Sequence, residues 1–338
     1  MIVMNINLPM WGKALRVIPR VSKEQWQKLD PIARWLIASR SAVFIMTAFS
    51  VIIGGLLAVR SGHFDWPIFA LCFFGLIFAH GTNNLLNDYV DYTRGVDKDN
   101  YYRTKYGPQP LQAGLWSAKH HLAVTGITGL LAAACGFGII AITADPTIIW
   151  LTLAGAFFVL FYTWPLKYFG LGEPAVVLTW GPLIIGGTYT ALTGEWSWPV
   201  AAIGAVYALG PTTVLFGKHT DKLQEDKPKK IHTLPVILGE SLARKTIIAL
   251  LWLIPILSVV LVVAGYVGPA LLLVVLSIPK ILEATRAFAK PRPTKEPKSF
   301  PEGVWPLYFS AMAFNTNKTT GSLFALGILI DTVLTRVF

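Results

Sequence analysis

Residues 71–99 read LCFFGLIFAHGTNNLLNDYVDYTRGVDKD. The stretch opens as an apolar run and closes on Asn84, Asn87, Asp88 and Asp91, with Asp97 and Asp99 just beyond. Carboxylates at membrane depth are expensive, about 2.5–3.5 kcal/mol each at mid-bilayer, a penalty that falls toward the interface. The segment is therefore either the wet end of a spanning helix or a place that needs negative charge. Both readings make it a membrane helix, and the composition agrees. The 338 residues are 54% hydrophobic and 14% charged, with 12 Trp, which is the balance of a helical membrane bundle and not of a soluble domain.

Working outward, nine apolar segments are predicted as spans, at roughly 37–59, 66–87, 121–143, 147–163, 174–193, 198–217, 245–264, 267–286 and 319–337. The expected fold is all-α: a polytopic membrane bundle of nine transmembrane helices with cytoplasmic cap loops. Residues 1–34 form an N-terminal cytoplasmic or interfacial segment and 35–338 the nine-helix domain. Lys and Arg crowd every second connection, around 13–40, 94–119, 218–245 and 280–318, and are scarce in the others. That pattern places the N-terminus inside and, with nine spans, the C-terminus outside. The net charge of +11 is thus topology, and a nucleic-acid partner is not expected. Cys72 and Cys135 lie in apolar runs without a spacing motif and read as core residues. MIVMNINLPMWGKALRVIPR does not read as a cleavable signal.

On a helical wheel Asn84, Asp88 and Asp91 share one face, with His80 a turn earlier and Asn87 on its border. Like charges so close repel, and a divalent cation relieves the repulsion. Mg²⁺ suits this set: it takes hard oxygens, uses one or two carboxylates, and shares its shell with water and substrate phosphate. A second cluster, DKLQED at 221–226, repeats the logic with Asp221, Glu225 and Asp226 at the end of the sixth predicted span. Lys98, Arg103 and Lys105 surround the first cluster, and Lys218, Lys222, Lys227, Lys229 and Lys230 the second. Acids that hold metal, ringed by bases that hold phosphate oxygens, make a diphosphate site. The matching positions of the clusters after the second and sixth spans hint at an internal duplication. A single acid at a helix end is as readily a solvated charge, His80 as readily a core histidine, and Glu283 with Lys280 and Arg286 an ordinary ion-paired helix end. Asp331 in the last span has no role in this scheme, and the Pro-rich connector KPRPTKEPKSFPEG at 290–303 carries no chemistry.

The motif NDYVDYTRGVD at 87–97 resembles the first Asp-rich motif of the UbiA superfamily of intramembrane prenyltransferases. YTWPLKYFGLGE at 162–173 and IHTLPVILGESLARK at 231–245 resemble its menaquinone-pathway branch, the dihydroxynaphthoate polyprenyltransferases. The likeness covers roughly 35–265. The sequence departs from that branch in the second motif, where the usual Arg-Asp pair stands as Asp221-Lys222, and after the first, where Gln109-Pro110-Leu111 replaces Arg-Pro-Leu.

The resemblance implies Mg²⁺-dependent transfer of an isoprenyl chain from a prenyl diphosphate to an aromatic acceptor in the membrane. Asp88, Asp91 and Asp97, with Asp221 and Glu225 or Asp226, would bind the metal. Lys98, Arg103, Lys105 and Lys222 would contact phosphate, and Asn84 and Asn87 would be ligands or orienters. Tyr162, with Tyr89 and Tyr92, would offer π faces to an allylic cation. The implied location is the plasma (inner) membrane of the cell, with the site facing the cytoplasm. A proton- or ion-coupled transporter is the competing class. The acids lie at one membrane face with no ladder through the spans, which counts against it.

Overall fold

The computed structural model describes residues 6–96, 109–298, 300 and 304–337, and every regular element among them is helical. Three short helices come first: α1 (Leu8–Ala14), α2 (Lys23–Gln27) and α3 (Pro31–Ala38). Their starts are written in the sequence. Asn7 caps α1, Ser22 and Gln25 form a reciprocal capping box on α2, and Asp30 followed by Pro31 opens α3. Asp30 also accepts from the Asn7 backbone N–H at 3.0 Å and from the Trp11 indole, tying α1 to α3. Burial alone would raise the Asp30 carboxyl, but these donors and the Ala33 N–H outweigh it and hold the group below its ordinary range. The segment packs through Trp26, Leu29, Ala33 and Ile37 onto Leu85.

The bundle proper comprises α4 (Phe44–Arg60), α5 (Trp66–Thr93), α6 (Ala118–Thr143), α7 (Pro146–Phe161), α8 (Gly172–Thr193), α9 (Trp198–Asp221), α10 (Leu223–Asp226), α11 (Leu234–Leu238), α12 (Glu240–Val263), α13 (Ile278–Phe288) and α14 (Tyr308–Val337). Seven of the described helices are long and apolar enough to cross a membrane, and α7, with 16 residues, is apolar but shorter. The chain is a multi-pass integral membrane protein. The nine expected segments all coincide with helices, yet not all are full spans. The eighth, 267–286, is a 3₁₀ stretch over Pro269–Ser277 joined to α13, whose Lys280 and Glu283 pair at 2.6 Å on an exposed face. Its apolar residues Ile281, Ala284 and Phe288 pack in a buried cluster with Ile247 and Leu251 of α12 and Phe309 of α14.

The central helix is α9, 72% of whose apolar window is buried, against 17% for the lipid-facing α6. It packs on α8, α12 and α14. Close contact with α8 depends on Gly181 and Gly204. A Cβ on either would stand 2.8–2.9 Å from the other's backbone. Around Pro182, α8 widens into a π-helical stretch, Thr179–Gly186, that sets Trp180 edge-on to His80, 5.3 Å between rings. At the far end of the bundle Asp331 finds a role the sequence did not supply: it accepts from the Gly268 N–H at 2.7 Å and pairs with Arg60 at 3.3 Å.

Candidate functional site

The last three turns of α5 carry the polar residues, and they diverge to two neighbours instead of sharing one face. Asn83 donates to the Val159 carbonyl at 2.9 Å, Asn87 to Thr163 Oγ1 at 3.1 Å, and Asp91 accepts from Lys167 Nζ at 2.9 and 3.0 Å. Successive contacts advance four residues on both partners, so one edge of α5 zips along the end of α7 and the turn beyond it. On the other edge Asn84 donates to the Ser39 carbonyl at 2.8 Å and Asp88 meets the Arg40 guanidinium. The expected single stripe of Asn84, Asp88 and Asp91 is therefore split. His80, from the same expected face, bonds Thr47 at 2.8 Å and lies in the aromatic packing of Phe44 and Trp180.

Each cation is delivered by unusual backbone. Arg40 sits at φ 56°, ψ 48°, left-handed and costly for a residue with a Cβ, between α3 and the start of α4. Lys167 stands on a 3₁₀ turn, Leu166–Phe169, closed by Gly170 at φ 74°. Asp88 and Asp91 are 2% and 0% exposed, Arg40 and Lys167 9% and 5%. Buried ion pairs seldom add net stability over apolar packing, so two of them side by side point to chemistry.

Next to Lys167, Glu173 opens α8 and its Oε1 lies 2.6 Å from His219 Nδ1 of α9; both side chains are buried. The Tyr162 carbonyl accepts from the Lys167 backbone N–H at 2.9 Å, and the Tyr162 ring borders Gly172, which sets it at the turn that carries Lys167 and Glu173. Tyr89 instead stacks on His121, and Tyr92 is 41% exposed. Of the three tyrosines only Tyr162 stands at that turn.

The second cluster is joined to the first by the Lys229 ammonium on the Val96 carbonyl at 2.6 Å and by the buried trio Val96, Tyr168 and Ile231. Its acids are used differently from what the sequence implied. Asp221 accepts from the backbone N–H groups of Phe309 and Ser310 at 3.0 and 2.9 Å, capping the first turn of α14, and its carbonyl accepts from Arg292 at 3.1 Å. Asp221 thus caps the first turn of α14, one N–H on each carboxylate oxygen, and the 290–303 connector contributes Arg292 to that lock. Lys222 Nζ stands 3.1 Å from Asp226 Oδ1; the two side chains are 2% and 1% exposed. Burial raises the partly covered Glu225 carboxyl above its ordinary range, opposed by Arg292 and Lys222. Asp97, Lys98, Arg103 and Lys105 lie outside the described residues.

Donor chemistry decides where a metal fits. Around Asp88 and Asp91 the donors are hard oxygens on one buried helix end, a carboxylate pair of the kind Mg²⁺ uses together with phosphate and water. Among the described residues no three His, Cys, Asp or Glu side chains converge, so an all-protein metal cage is not built there. Arg40, Lys167, Glu173 and His219 escaped the sequence reading of the site. Lys167 and Glu173 are the two charges in the quoted YTWPLKYFGLGE, and that was the available signal.

The sequence model of the UbiA prenyltransferase family matches residues 47–330. The chain belongs to that family. It is an enzyme, a prenyltransferase. It is 26% identical over 289 residues to UbiA prenyltransferase domain-containing protein 1 of Ailuropoda melanoleuca, covering 82% of this chain and 81% of that one. It is also 26% identical over 230 residues to protoheme IX farnesyltransferase of Klebsiella pneumoniae, covering 67% and 74%. Among solved structures, a UbiA homologue from Aeropyrum pernix K1 aligns with TM-score 0.63 at 17% identity, over 84% of this chain and 97% of that one. A UbiA homologue from Archaeoglobus fulgidus bound to DMAPP and Mg²⁺ aligns with TM-score 0.50 at 13% identity, over 86% and 99%. These likenesses show the UbiA fold.

Proposed function

We infer that this protein transfers an isoprenyl chain from a prenyl diphosphate to an electron-rich aromatic acceptor of the dihydroxynaphthoate type, releasing diphosphate, with Mg²⁺ as cofactor. The observation that carries the reading is the pair of buried carboxylates Asp88 and Asp91 on one helix end, each against a cation from a distant segment. A solved relative is described as bound to DMAPP and Mg²⁺, which supports both the donor class and the metal.

Asp88 and Asp91 would hold Mg²⁺, whose Lewis acidity offsets the charge that grows on the leaving diphosphate. Arg40 and Lys167 already stand at those carboxylates, so a diphosphate placed there comes within reach of both. Their role is electrostatic: fixed positive charge where the leaving group becomes more negative. Glu173 fixes the His219 ring through Nδ1, and Tyr162 supplies a neutral aromatic wall beside the carboxylates. Breaking the allylic C–O bond leaves its electron pair on diphosphate, and the acceptor ring forms the new C–C bond and loses a proton. No serine or cysteine nucleophile is required.

The proposed side of this end is the cytoplasmic one, which its basic connections support, and the proposed location is the plasma (inner) membrane. The test is an acceptor screen with one radiolabelled long-chain prenyl diphosphate in detergent. The expected result is Mg²⁺-dependent label transfer to a dihydroxynaphthoate-type acceptor. Transfer only to another acceptor class, such as a homogentisate-like ring, a tetrapyrrole or a lipid, corrects the acceptor; ion movement in liposomes without any transfer overturns the reading.

A further inference from the structure

Resting on the prenyl diphosphate reading above, the second acidic cluster shows an arrangement that the family resemblance does not supply. Four charged side chains stand there, Asp221, Lys222, Glu225 and Asp226. Asp221 is turned toward the backbone of α14, accepting one N–H on each oxygen. Lys222 and Asp226, four residues apart and both buried, form an ion pair inside one local turn. The Lys222 ammonium carries three N–H donors and Asp226 stands within reach of one of them at 3.1 Å, which leaves the others for another acceptor. A divalent cation on Asp226 would sit beside that ammonium and be repelled by it.

The first cluster is built the other way. There the acids are three residues apart on one helix and their cations arrive on long side chains from other segments. Arms of that kind can re-aim at a diphosphate when a metal takes the carboxylates. Lys222 stands in the same turn as its acid, four residues from it.

We propose that Lys222 takes the place of a second divalent cation in this chain, so that the donor diphosphate is held by one metal ion on Asp88 and Asp91 and by the Lys222 ammonium. Lys222 is a substrate-binding residue in this scheme, and Asp226 positions it.

The experiment counts metal directly on the detergent-purified full chain. Mn²⁺ is titrated with and without geranyl thiolodiphosphate, an unreactive donor analogue, and unbound Mn²⁺ is read by electron paramagnetic resonance. About one analogue-dependent Mn²⁺ per chain is expected. Lys222→Met should weaken analogue binding about 10–100-fold at an unchanged Mn²⁺ count, the loss of one hydrogen-bonded charge, and Lys222→Arg should recover most of it. Two Mn²⁺ per unaltered chain, or unweakened analogue binding by Lys222→Met, overturns the assignment and leaves the prenyl transfer reading standing. The count needs no variant, so a poorly folding Lys222→Met does not blunt it. No analogue-dependent Mn²⁺ binding at all overturns both.

Discussion

The two acidic clusters occupy matching places in the chain, each at the cytoplasmic end of an even-numbered span in the sequence reading, yet they are wired in opposite ways. Asp88 and Asp91 reach cations more than forty positions away, Arg40 and Lys167, and so knit three segments into one end of the bundle. Asp221 turns to the backbone of α14, and Lys222 with Asp226 close on themselves within a turn. A motif's acids therefore do not share a role merely because they share a motif. The first cluster concentrates carboxylate oxygen on one buried helix end, whereas the second puts one carboxylate on a helix start and pairs another with a lysine.

That contrast can be broken most sharply at Asp91. Asp91→Asn removes the charge against Lys167 and one of two metal carboxylates, and transfer should fall about 10²–10³-fold in a steady-state label assay. Asp88→Asn should behave alike. His219→Gln comes close to the histidine's volume but lacks a donor at the Nδ1 position that meets Glu173, a charge-assisted bond of about 1.5–3 kcal/mol, so kcat should fall by roughly tenfold or more with donor KM little changed. Asp221→Ala should act on stability instead. Loss of a helix cap costs about 0.5–2 kcal/mol, seen as a lower melting midpoint, with the Mg²⁺ requirement of the folded enzyme unaltered. The smallest effect is at Asp30. Its carboxyl is held below the ordinary value in the folded state, so its contribution is present above the unfolded value near about 3.9 and is lost as pH falls through the folded one. Asp30→Asn should thus lower the melting midpoint at neutral pH, and the difference should shrink in acid.

Much of the fold was legible in advance because membrane burial writes long apolar runs, and caps such as Asp30-Pro31, Asp65 and Ser197 mark where helices start. The exception was 267–286, where averaging hid the change from a 3₁₀ stretch to an amphipathic helix. The acids of the first cluster were legible because charge at membrane depth is conspicuous. Their partners were not. Arg40 looked like topology, and Lys167 and Glu173 looked like loop charges, because pairing across distant segments leaves no periodic trace. The capping role of Asp221 was not legible because the backbone it caps, at Phe309 and Ser310, lies 88 and 89 residues further on.

The most direct test sets Asp91→Asn beside Asp221→Asn in Mg²⁺-dependent prenyl transfer, with each rate divided by the fraction of folded protein. Near-complete loss is expected for Asp91→Asn and retention of most activity for Asp221→Asn. Equal and near-complete loss in both, with both proteins folded, would mean that Asp221 serves the reaction as Asp91 does.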